Sequence, residues 1–363
     1  MTATNNKKKT SLYDLGYNPI IDKIRQQKKL EAWEIGRVTA EHKERYSVKN
    51  ENGEYESEII GNLRFTVQNR LDFPAVGDWV TISGYDDSKA LIHHILYRKN
   101  ALKRQAVGKK GETQIIATNV DYAFIVEAVN RDFSINRFER YLAICYDANI
   151  EPVLILNKID LLLETELNEL VKKVKKRIPK VLLVLTSCNN EKGLLKIQKL
   201  IQKGKTYCFL GSSGVGKSSL INLISKNSYM KTGEISYSTD RGKHVTSHRE
   251  LIVLEQGGIL IDNPGMREVG VTDVKKGLEN SFELITELSS KCKYKNCSHE
   301  HEKGCAVLLA LQEGKIDNES YTNYLKMEKE RKHFQYTEAE KRQQGKKMSK
   351  MIKQYKKGKK MGE

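Results

Sequence analysis

The chain has 363 residues, of which 39% are hydrophobic and 30% are charged, and its formal net charge is +17. This length predicts two or three domains rather than one core. Because no apolar run of about 18 residues occurs and no apolar segment follows the N-terminal lysines, we expect neither a membrane span nor a secretory signal. The expected setting is the cytoplasm, where the six cysteines would not form disulfides.

The first third of the chain indicates a small β-barrel behind a polar N-terminal arm. Residues 1–30 are polar and charged without a clear period, and we predict a mobile arm. Residues 31–102 hold short strand-like pieces, which are typical of a barrel: EAWEIGRVTA, RYSVKN, LRFTVQ, VGDWVTIS and ALIHHILY. The pattern fits an OB-fold and equally an SH3-like barrel. The basic stretch RKNALKRQAVGKKGE at 98–112 is interpreted as a linker or exposed loop.

From about residue 115 apolar strands and helical segments alternate. The strands are YAFIVEAV, VLILN, VLLVLTS, TYCFLG, RELIVLE and GGILI. This alternation predicts an α/β domain over 103–275, with a mostly parallel sheet covered on both faces. The isolated Cys145, Cys188 and Cys208 are interpreted as core or near-core residues.

The stretch GSSGVGKSS at 211–219 matches the phosphate-binding P-loop pattern, with an apolar strand before it and a helix after it. In this pattern backbone N–H groups bind phosphate oxygens, Lys217 reaches the β- and γ-phosphates, and the Ser218 hydroxyl coordinates Mg²⁺. The alternative is a chance glycine-rich turn, and the motif alone does not specify the base. The predicted phosphate-binding residues are Gly211, Ser212, Ser213, Gly214, Val215, Gly216, Lys217, Ser218 and Ser219.

The motif NKID, which follows the strand VLILN, indicates guanine as the base. Asp160 can accept two hydrogen bonds that guanine offers and adenine does not, Asn157 can bond the purine edge, and the stem of Lys158 can cover the ring. An unpaired buried carboxylate then rejects the wrong base. Ser187 and Cys188, which end the next strand, are placed where a backbone N–H meets the guanine O6. The alternative is that Asn-Lys after a strand is only a turn. The position of NKID at the carboxyl end of an apolar strand in an α/β domain, where ligands bind, favours the base-binding interpretation.

Two further segments complete the predicted phosphate and magnesium site. DNPG follows the strand GGILI, so that Asp262 can hold Mg²⁺ through water and the Gly265 N–H can contact the γ-phosphate. Because many Asp-x-Pro-Gly sequences are only turns, this motif gains weight from its agreement with the other two. The polar segment TDRGKHVTSH at 239–248 contains Thr246, the candidate switch threonine, whose hydroxyl would join the Mg²⁺ shell.

The order of these motifs is NKID, TSC, GSSGVGKS, Thr246 and DNPG, whereas an ordinary GTPase places the glycine loop first and NKxD last. A parallel sheet tolerates this rotation because binding loops project from one edge whichever strand begins the chain. The order resembles the circularly permuted GTPases, and among them the ribosome small-subunit-dependent GTPase A family (RsgA, also called YjeQ or YloQ). The resemblance covers roughly residues 31–310 and rests on GRVT, VGDWV, FSINRFERYL, GSSGVGKSSLIN, RGKHVT, DNPGMREVG and a cysteine cluster.

The resemblance implies an OB-fold barrel, a circularly permuted P-loop GTPase domain and, at 276–325, a C-terminal zinc-binding helical domain. It also implies GTP hydrolysis, stimulated by the small (30S) ribosomal subunit during its late maturation, and binding to rRNA. The protein is expected to be a monomer. Two rival functions stay open: a permuted GTPase acting on the large subunit or another RNA, and an RNA-binding protein with a vestigial nucleotide site. The intact Lys217, Ser218, Asp262 and Asp160 oppose the second rival.

The resemblance also suggests which residues act in hydrolysis beside Lys217. Met266 stands where a Ras-like enzyme has a water-orienting Gln, and the family pattern makes His244 the candidate for orienting the attacking water. The alternative is that His244 is an exposed loop histidine. Val245 stands where a Thr is more usual, so Thr246 would serve alone as the switch threonine.

The segment KCKYKNCSHEHEKGCAV places Cys292, Cys297, His299 and Cys305 in a C-x₄-C-x-H-x₅-C spacing. Three thiolates and one imidazole suit tetrahedral Zn²⁺ with no open position, which indicates a structural site. His301 is an alternative ligand, and the family pattern selects His299. Such a metal would fix an irregular loop that a small helical region cannot hold by burial alone.

Residues 326–363 are predicted to be a basic helical or disordered tail. Residues 341–363 alone hold ten Lys or Arg and one Glu. The tail is either a solvated end or the binding site for a polyanion, to which Lys and Arg bind by displacing counterions from phosphates. Without an amphipathic membrane helix, RNA is favoured over lipid as that polyanion.

Overall fold

The computed structural model describes residues 10–42, 45–61, 64, 70–105, 112–130, 133–188, 191–225, 249–262, 274–336, 340 and 343. The strands are β1 (Glu34–His42), β2 (Arg45–Lys49), β3 (Glu54–Ile59), β4 (Trp79–Asp86), β5 (Lys89–Ile95), β6 (Ala101–Gln105), β7 (Thr113–Thr118), β8 (Tyr122–Ala128), β9 (Glu151–Asn157), β10 (Leu182–Leu185), β11 (Thr206–Leu210), β12 (Glu250–Val253) and β13 (Ile259–Asp262). The helices are α1 (Pro19–Gln27), α2 (Ile135–Asp147), α3 (Glu164–Arg177), α4 (Glu191–Leu200), α5 (Lys217–Ser225), α6 (Lys275–Ser281), α7 (Glu283–Ser289), α8 (Ala306–Gln312) and α9, residues 318–336.

Strands β1 to β5 form a closed barrel in the order β1-β2-β3-β5-β4, which the β4–β1 pairing closes. The β3–β5 pair is parallel and the others are antiparallel. Alternate side chains such as Val38, Val48 and Ile92 point inward and fill the barrel. The barrel is therefore of the OB type. The strand piece LRFTVQ lies, apart from Arg64, outside the described residues.

Residues 10–30, assigned from the sequence to an arm, pack against the barrel. Asn18 caps α1, because its Oδ1 accepts hydrogen bonds from the first two backbone N–H groups inside the helix. Leu15 is fully buried and Tyr17 contacts Trp79 edge-on, with ring centroids 5.2 Å apart. Leu15 and Tyr17 do not recur with the spacing of a helix or a strand, so the sequence alone does not predict this packing.

The interpretation of 98–112 as a linker or exposed loop was wrong for its first half. Residues Ala101–Gln105 form β6, which pairs antiparallel with β7, and Leu102 is fully buried. The Asn100 side chain forms two hydrogen bonds with the backbone of Val120, in the connection between β7 and β8, of 2.7 and 2.9 Å. One apolar residue among basic ones is too weak a pattern to predict a strand.

The predicted mostly parallel sheet is confirmed, in the order β10-β9-β8-β11-β13-β12. Within the described part of the chain, only β12 runs antiparallel to its neighbour in this sheet. Successive residues face opposite sides, so Ile125 and Cys208 pack towards α2 and α3, and Phe124 and Phe209 pack towards α4 and α5. Both faces are therefore covered.

The C-terminal helices share the core of the first of these faces. Val307 and Met327, from α8 and α9, belong to the same buried cluster as Ile125. Ion pairs reinforce the contact, since Arg140 on α2 binds Glu330 on α9 at 2.6 Å. Helix α2 thus lies between the sheet and the C-terminal helices.

The barrel joins the larger sheet through β1. Ala40 on β1 pairs with Glu250 on β12. The side chain of Arg37, only 1% exposed, donates to three carbonyl oxygens and one hydroxyl, which belong to Leu15 (2.6 Å), Gly77 (3.2 Å), Asn119 (3.4 Å) and Thr206 (3.0 Å). Burial lowers the pKa of Arg37 to about 10, against the opposing charges of two aspartates. One buried guanidinium therefore ties the N-terminal segment, the barrel and the sheet together.

Across the described residues, no helix has the length and apolar character needed to cross a bilayer.

Candidate functional site

The P-loop connects β11 to α5, and its glycines take backbone conformations that other residues adopt only with strain. The φ angles of Gly211, Gly214 and Gly216 are +143°, +81° and +97°. A Cβ on Gly211 would lie 2.3 Å from the Val126 carbonyl oxygen, and one on Gly216 would lie 2.3 Å from Asn157 Nδ2. These glycines allow the loop to lie directly against the ends of β8 and β9.

Lys217 begins α5 and is 7% exposed. Its Nζ donates to the carbonyl oxygens of Gly211 at 2.9 Å and Ser212 at 2.7 Å, so the lysine closes the loop on itself. Burial lowers its pKa to about 8, and the charges of Asp262 and Glu127 act in the opposite direction. A bound anion at this point would add to their effect and stabilise the charged lysine.

NKID is in direct contact with the P-loop. Asn157 is fully buried at the end of β9, and its Nδ2 donates to the Val215 carbonyl oxygen at 2.8 Å. Lys158, with a φ of +60°, donates from Nζ to the Gly214 carbonyl oxygen at 2.8 Å. Asn157 Oδ1 is buried and has no hydrogen-bond partner within the described residues. Two motifs more than fifty residues apart in the chain therefore form one structure.

Asp160 lies in the 3₁₀ turn Ile159–Leu161 and is exposed. Cys188 stands close to it. Partial desolvation of this thiol is the largest cause that raises its pKa, and the charge of Asp160 adds to the rise. The charge of Lys158 and a hydrogen bond with Ser219 oppose it. The predicted base-binding and phosphate-binding segments therefore meet at the carboxyl edge of the sheet.

The TSC segment follows β10. Thr186 and Ser187 are buried, and the Thr186 N–H donates to the Leu156 carbonyl oxygen at 2.8 Å. Cys188 is exposed, so its interpretation as a core or near-core residue was wrong, whereas Cys145 and Cys208 are buried as predicted. The strand ends at Leu185, and Cys188 already belongs to the loop.

Two residues of this edge were missed from the sequence. Glu127 on β8 is fully buried, its Oε2 accepts from Arg137 Nε at 2.9 Å, and burial raises its pKa to about 7 against the charges of Arg137 and Lys217. Tyr141 on α2 hydrogen-bonds with Ser212, and burial raises the pKa of its hydroxyl. A lone glutamate in an apolar strand and a tyrosine in a helix carry no motif.

The remaining predicted residues fall into two groups. Asp262 ends β13, is 2% exposed and lies near enough to Lys217 to affect its pKa. Gly265, His244 and Thr246 lie outside the described residues.

The cysteine and histidine donors of the C-terminal cluster lie within 4.8 Å of one another. Cys292 Sγ is 3.8 Å from Cys305 Sγ, and His299 Nδ1 is 3.6 Å and 3.4 Å from these two sulfurs. A tetrahedral zinc ion with bonds of about 2.1 and 2.3 Å requires donor separations of roughly 3.5–3.8 Å. Together with Cys297, these four residues could therefore hold a metal, and the exposed His301 is not part of the group.

The neighbours of His299 orient its ring. Nε2 lies 3.0 Å from the Ser289 hydroxyl, which itself donates to the Ile285 carbonyl oxygen at 2.6 Å. That hydroxyl can therefore accept from Nε2–H, which leaves the Nδ1 lone pair directed at the thiols. The Tyr321 hydroxyl on α9 donates to the His299 carbonyl oxygen at 2.6 Å. Contacts from α7 and α9 thus fix the position of the His299 ring and backbone.

The sequence of this chain is similar to those of known proteins over nearly its whole length. The RsgA GTPase family model matches residues 95–272. The chain is 36% identical to the small ribosomal subunit biogenesis GTPase RsgA 1 of Bacteroides thetaiotaomicron, over 98% of this chain and 99% of that protein. The chain belongs to the RsgA GTPase family. An ABC transporter model also matches residues 194–359, a range that includes the P-loop but not NKID.

Two solved structures of RsgA-type proteins share this fold. YjeQ from Thermotoga maritima superposes with a TM-score of 0.59 at 26% identity, covering 81% of this chain and 96% of that one. YloQ, described as a circularly permuted GTPase, gives a TM-score of 0.59 at 26% identity, covering 83% and 95%. The predicted permutation and three-part architecture of this RsgA-family GTPase are therefore confirmed.

The contact between the P-loop and NKID yields a prediction for nucleotide-free protein. Gly216→Ala should lower the thermal midpoint by several degrees more than Gly214→Ala. Both changes place a side chain at positive φ, which costs roughly 1–2 kcal/mol, but only the Cβ at 216 meets Asn157, while that at 214 enters open space. Differential scanning fluorimetry measures the difference, and equal shifts would show that the Asn157 contact does not constrain the loop.

Proposed function

We propose that this chain is a GTP hydrolase that acts as a switch in late maturation of the small (30S) ribosomal subunit, binding rRNA and stimulated by that subunit. The observation that carries the proposal is the hydrogen bond from Asn157 to the Val215 carbonyl oxygen, which unites a guanine-specific motif with a P-loop. The name of the Bacteroides thetaiotaomicron relative supplies the ribosomal context. The chain would work in the cytoplasm as a monomer.

In the proposed site Lys217 leaves the loop carbonyls for the β- and γ-phosphates, while the loop N–H groups bind the phosphate oxygens. Asp160 accepts from the guanine edge, and the Cys188 segment donates to O6. Mg²⁺, held by Ser218, Thr246 and, through water, Asp262, would supply neutralisation of the charge that builds on the phosphates. The buried carboxylate of Asp262 beside the first turn of α5 suits this role.

His244 is proposed to orient the attacking water. His244→Ala should slow subunit-stimulated GTP hydrolysis roughly 100-fold or more, since general-base or positioning catalysis contributes about 10²–10⁴. GTP affinity should change less than threefold because the imidazole does not bind the ground state. Single-turnover hydrolysis and equilibrium binding, measured on the same preparation, separate the two effects. Wild-type turnover in the variant would end this assignment.

The experiment that tests the proposed function is GTP turnover by the full chain with and without purified small subunits. We expect strong stimulation by small subunits and little by large subunits. Stimulation by large subunits alone would favour the rival permuted GTPase. If Lys217→Ala lacked GTP binding but supported subunit maturation normally, the vestigial-site rival would be correct.

The Cys292, Cys297, His299 and Cys305 cluster is proposed to bind one structural Zn²⁺. His299→Ala should reduce zinc from one equivalent to less than about 0.2 per chain and expose the region of α7 and α8 to protease, because structural zinc stabilises such loops directly. His301→Ala is the matched control, since it lies two residues away and outside the cluster. Mass spectrometry of metal content measures both. Zinc loss from both variants would contradict the ligand assignment.

The division into functional segments is also part of this proposal. The barrel at 31–102 and the region 276–325 are proposed to bind rRNA on either side of the GTPase domain at 103–275. The basic segment within 326–363 is proposed to add nonspecific affinity for RNA phosphates. Truncating the chain after residue 340 should therefore weaken subunit binding mainly at low salt.

A further inference from the structure

A cleft of about 620 Å³ lies beside the junction of the barrel and the larger sheet. Three arginines line it, and they come from separate segments: Arg70 before β4, Arg104 on β6 and Arg249 immediately before β12. Its lining also includes Glu41 on β1 and the half-buried ring of Phe73. We call this feature the arginine cleft.

The charge in the arginine cleft is not balanced. Among the residues that the structure describes, the charged lining residues are three arginines and one glutamate, a net charge of +2. Arg249 lies 3.7 Å from Glu41 and donates to the Ile115 carbonyl oxygen at 3.1 Å. Within the described part of the chain, neither Arg70 nor Arg104 has a carboxylate within ion-pair distance, and the buried Arg104 Nε has no hydrogen-bond partner.

The three guanidinium groups act on one another. Burial is the largest cause that lowers the pKa of Arg249; the charge of Glu41 opposes it, and the charges of Arg104 and Arg70 lower it further. Burial also lowers the pKa of Arg104. Placing the partly desolvated Arg104 and Arg249 beside a third, exposed arginine, Arg70, is unfavourable unless an anion occupies the cavity between them. The arrangement therefore suits a ligand with concentrated negative charge.

We propose that the arginine cleft binds a backbone phosphate of single-stranded RNA. Guanidinium forks match phosphate oxygens in geometry and charge, and Phe73 offers a face on which the adjoining base can stack. A cleft of this volume admits an unpaired nucleotide but not a duplex. This proposal rests on the proposed rRNA-binding function and names a site and a chemistry for it.

The position of Arg249 gives the cleft a link to hydrolysis. Arg249 directly follows the segment 239–248, which contains the proposed His244 and Thr246. It also directly precedes β12, which pairs with β13, the strand that ends at Asp262. A phosphate held by Arg249 would therefore lie next to the paired residues Glu250 and Asp262, which gives RNA binding a physical route to the proposed magnesium site.

The test uses the full-length protein and a fluorescein-labelled, unstructured RNA 12-mer, with binding measured by anisotropy over a range of KCl concentrations. Arg104→Gln and Arg249→Gln should each weaken binding roughly tenfold, and each should reduce the slope of log K against log salt by about 0.7. Arg45→Gln is the matched control, because this barrel arginine is exposed, pairs with Glu56 and does not line the cleft. It should change affinity less than twofold.

A variant that is expected to bind RNA more tightly tests whether misfolding explains the weaker binding of the arginine variants. Among the described lining residues Glu41 carries the only negative charge, so Glu41→Gln should tighten RNA binding severalfold. GTP affinity should stay unchanged in all four variants, since none of these residues belongs to the nucleotide site.

Three outcomes would overturn the proposal: unchanged RNA affinity in the cleft variants, an equal loss in Arg45→Gln, or weaker binding to small subunits without weaker binding to the 12-mer. The last would indicate a ribosomal protein as the ligand. Because the 12-mer assay contains no subunit, its result is independent of whether subunits stimulate wild-type hydrolysis, which is the test of the proposed function.

Discussion

Asp160→Asn should change the preferred nucleotide from GTP to xanthosine triphosphate. The carboxylate accepts from the N1–H and 2-amino groups of guanine, whereas an asparagine amide donates to the 2-oxo group of xanthine. Sites built around such hydrogen bonds reject a mismatched ligand by about 10⁴–10⁵, so GTP affinity should fall at least about a thousandfold. Because Asp160 lies exposed in a 3₁₀ turn, the change should leave the fold intact.

Competition binding of GTP and xanthosine triphosphate measures this switch. Asp87→Asn is the matched control, since it makes the same chemical change at an exposed turn of the barrel. An unchanged base preference in Asp160→Asn would remove Asp160 from the nucleotide site. It would also remove the main argument for guanine, because the P-loop alone does not select a base.

Arg37→Met should destabilise the protein by about 3–5 kcal/mol, the usual cost of removing one member of a buried polar network. The methionine fills much of the volume but leaves the buried carbonyl oxygens of Leu15, Gly77 and Asn119 without this donor. For a chain of this size the thermal midpoint should fall by roughly ten degrees. The residues that lose a partner belong to three segments, so the barrel and the sheet should also separate more readily.

Calorimetry and limited proteolysis between the barrel and the sheet check this expectation. Arg37→Lys keeps the charge, but a single ammonium group cannot donate to all of these separate acceptors at once. Its thermal midpoint should therefore lie between those of wild type and Arg37→Met. Arg45→Met removes an arginine that is 61% exposed and should shift the midpoint by less than about two degrees. A midpoint near wild type in Arg37→Met would show that Arg37 is not required for this junction.

The sequence predicted the parallel sheet and the convergence of its motifs because both depend on local patterns. Apolar strands are continuous runs, and the P-loop and NKID each sit where a strand ends, so strand order alone brings them to one edge. The Cys₃His group was predictable for the same reason, since its spacing is local. The preference for His299 over His301 also came from pattern. His299 lies among the four donors, whereas its role as a zinc ligand stays a prediction.

Features that depend on a distant partner could not be predicted. Strand β6 appears as a basic stretch because only Leu102 is buried and the pairing with β7 supplies the rest. Arg37 reads as a surface residue of a barrel strand, yet its acceptors come from residues 15, 77, 119 and 206. The arginine cleft combines residues 70, 104 and 249, and their spacing in the chain does not predict that they lie close together.

The pairing of β1 with β12 has a consequence for self-association. Strand β12 is the last strand of the six-stranded sheet, and the exposed edge of such a strand is a template for pairing with another copy. The Ala40 and Glu250 pairing places the barrel against that edge. A chain shortened to begin after residue 100 would present β12, with its apolar Leu251 and Ile252, to its neighbours. We therefore expect such a shortened chain to aggregate more readily than the full chain, in which the barrel covers this edge.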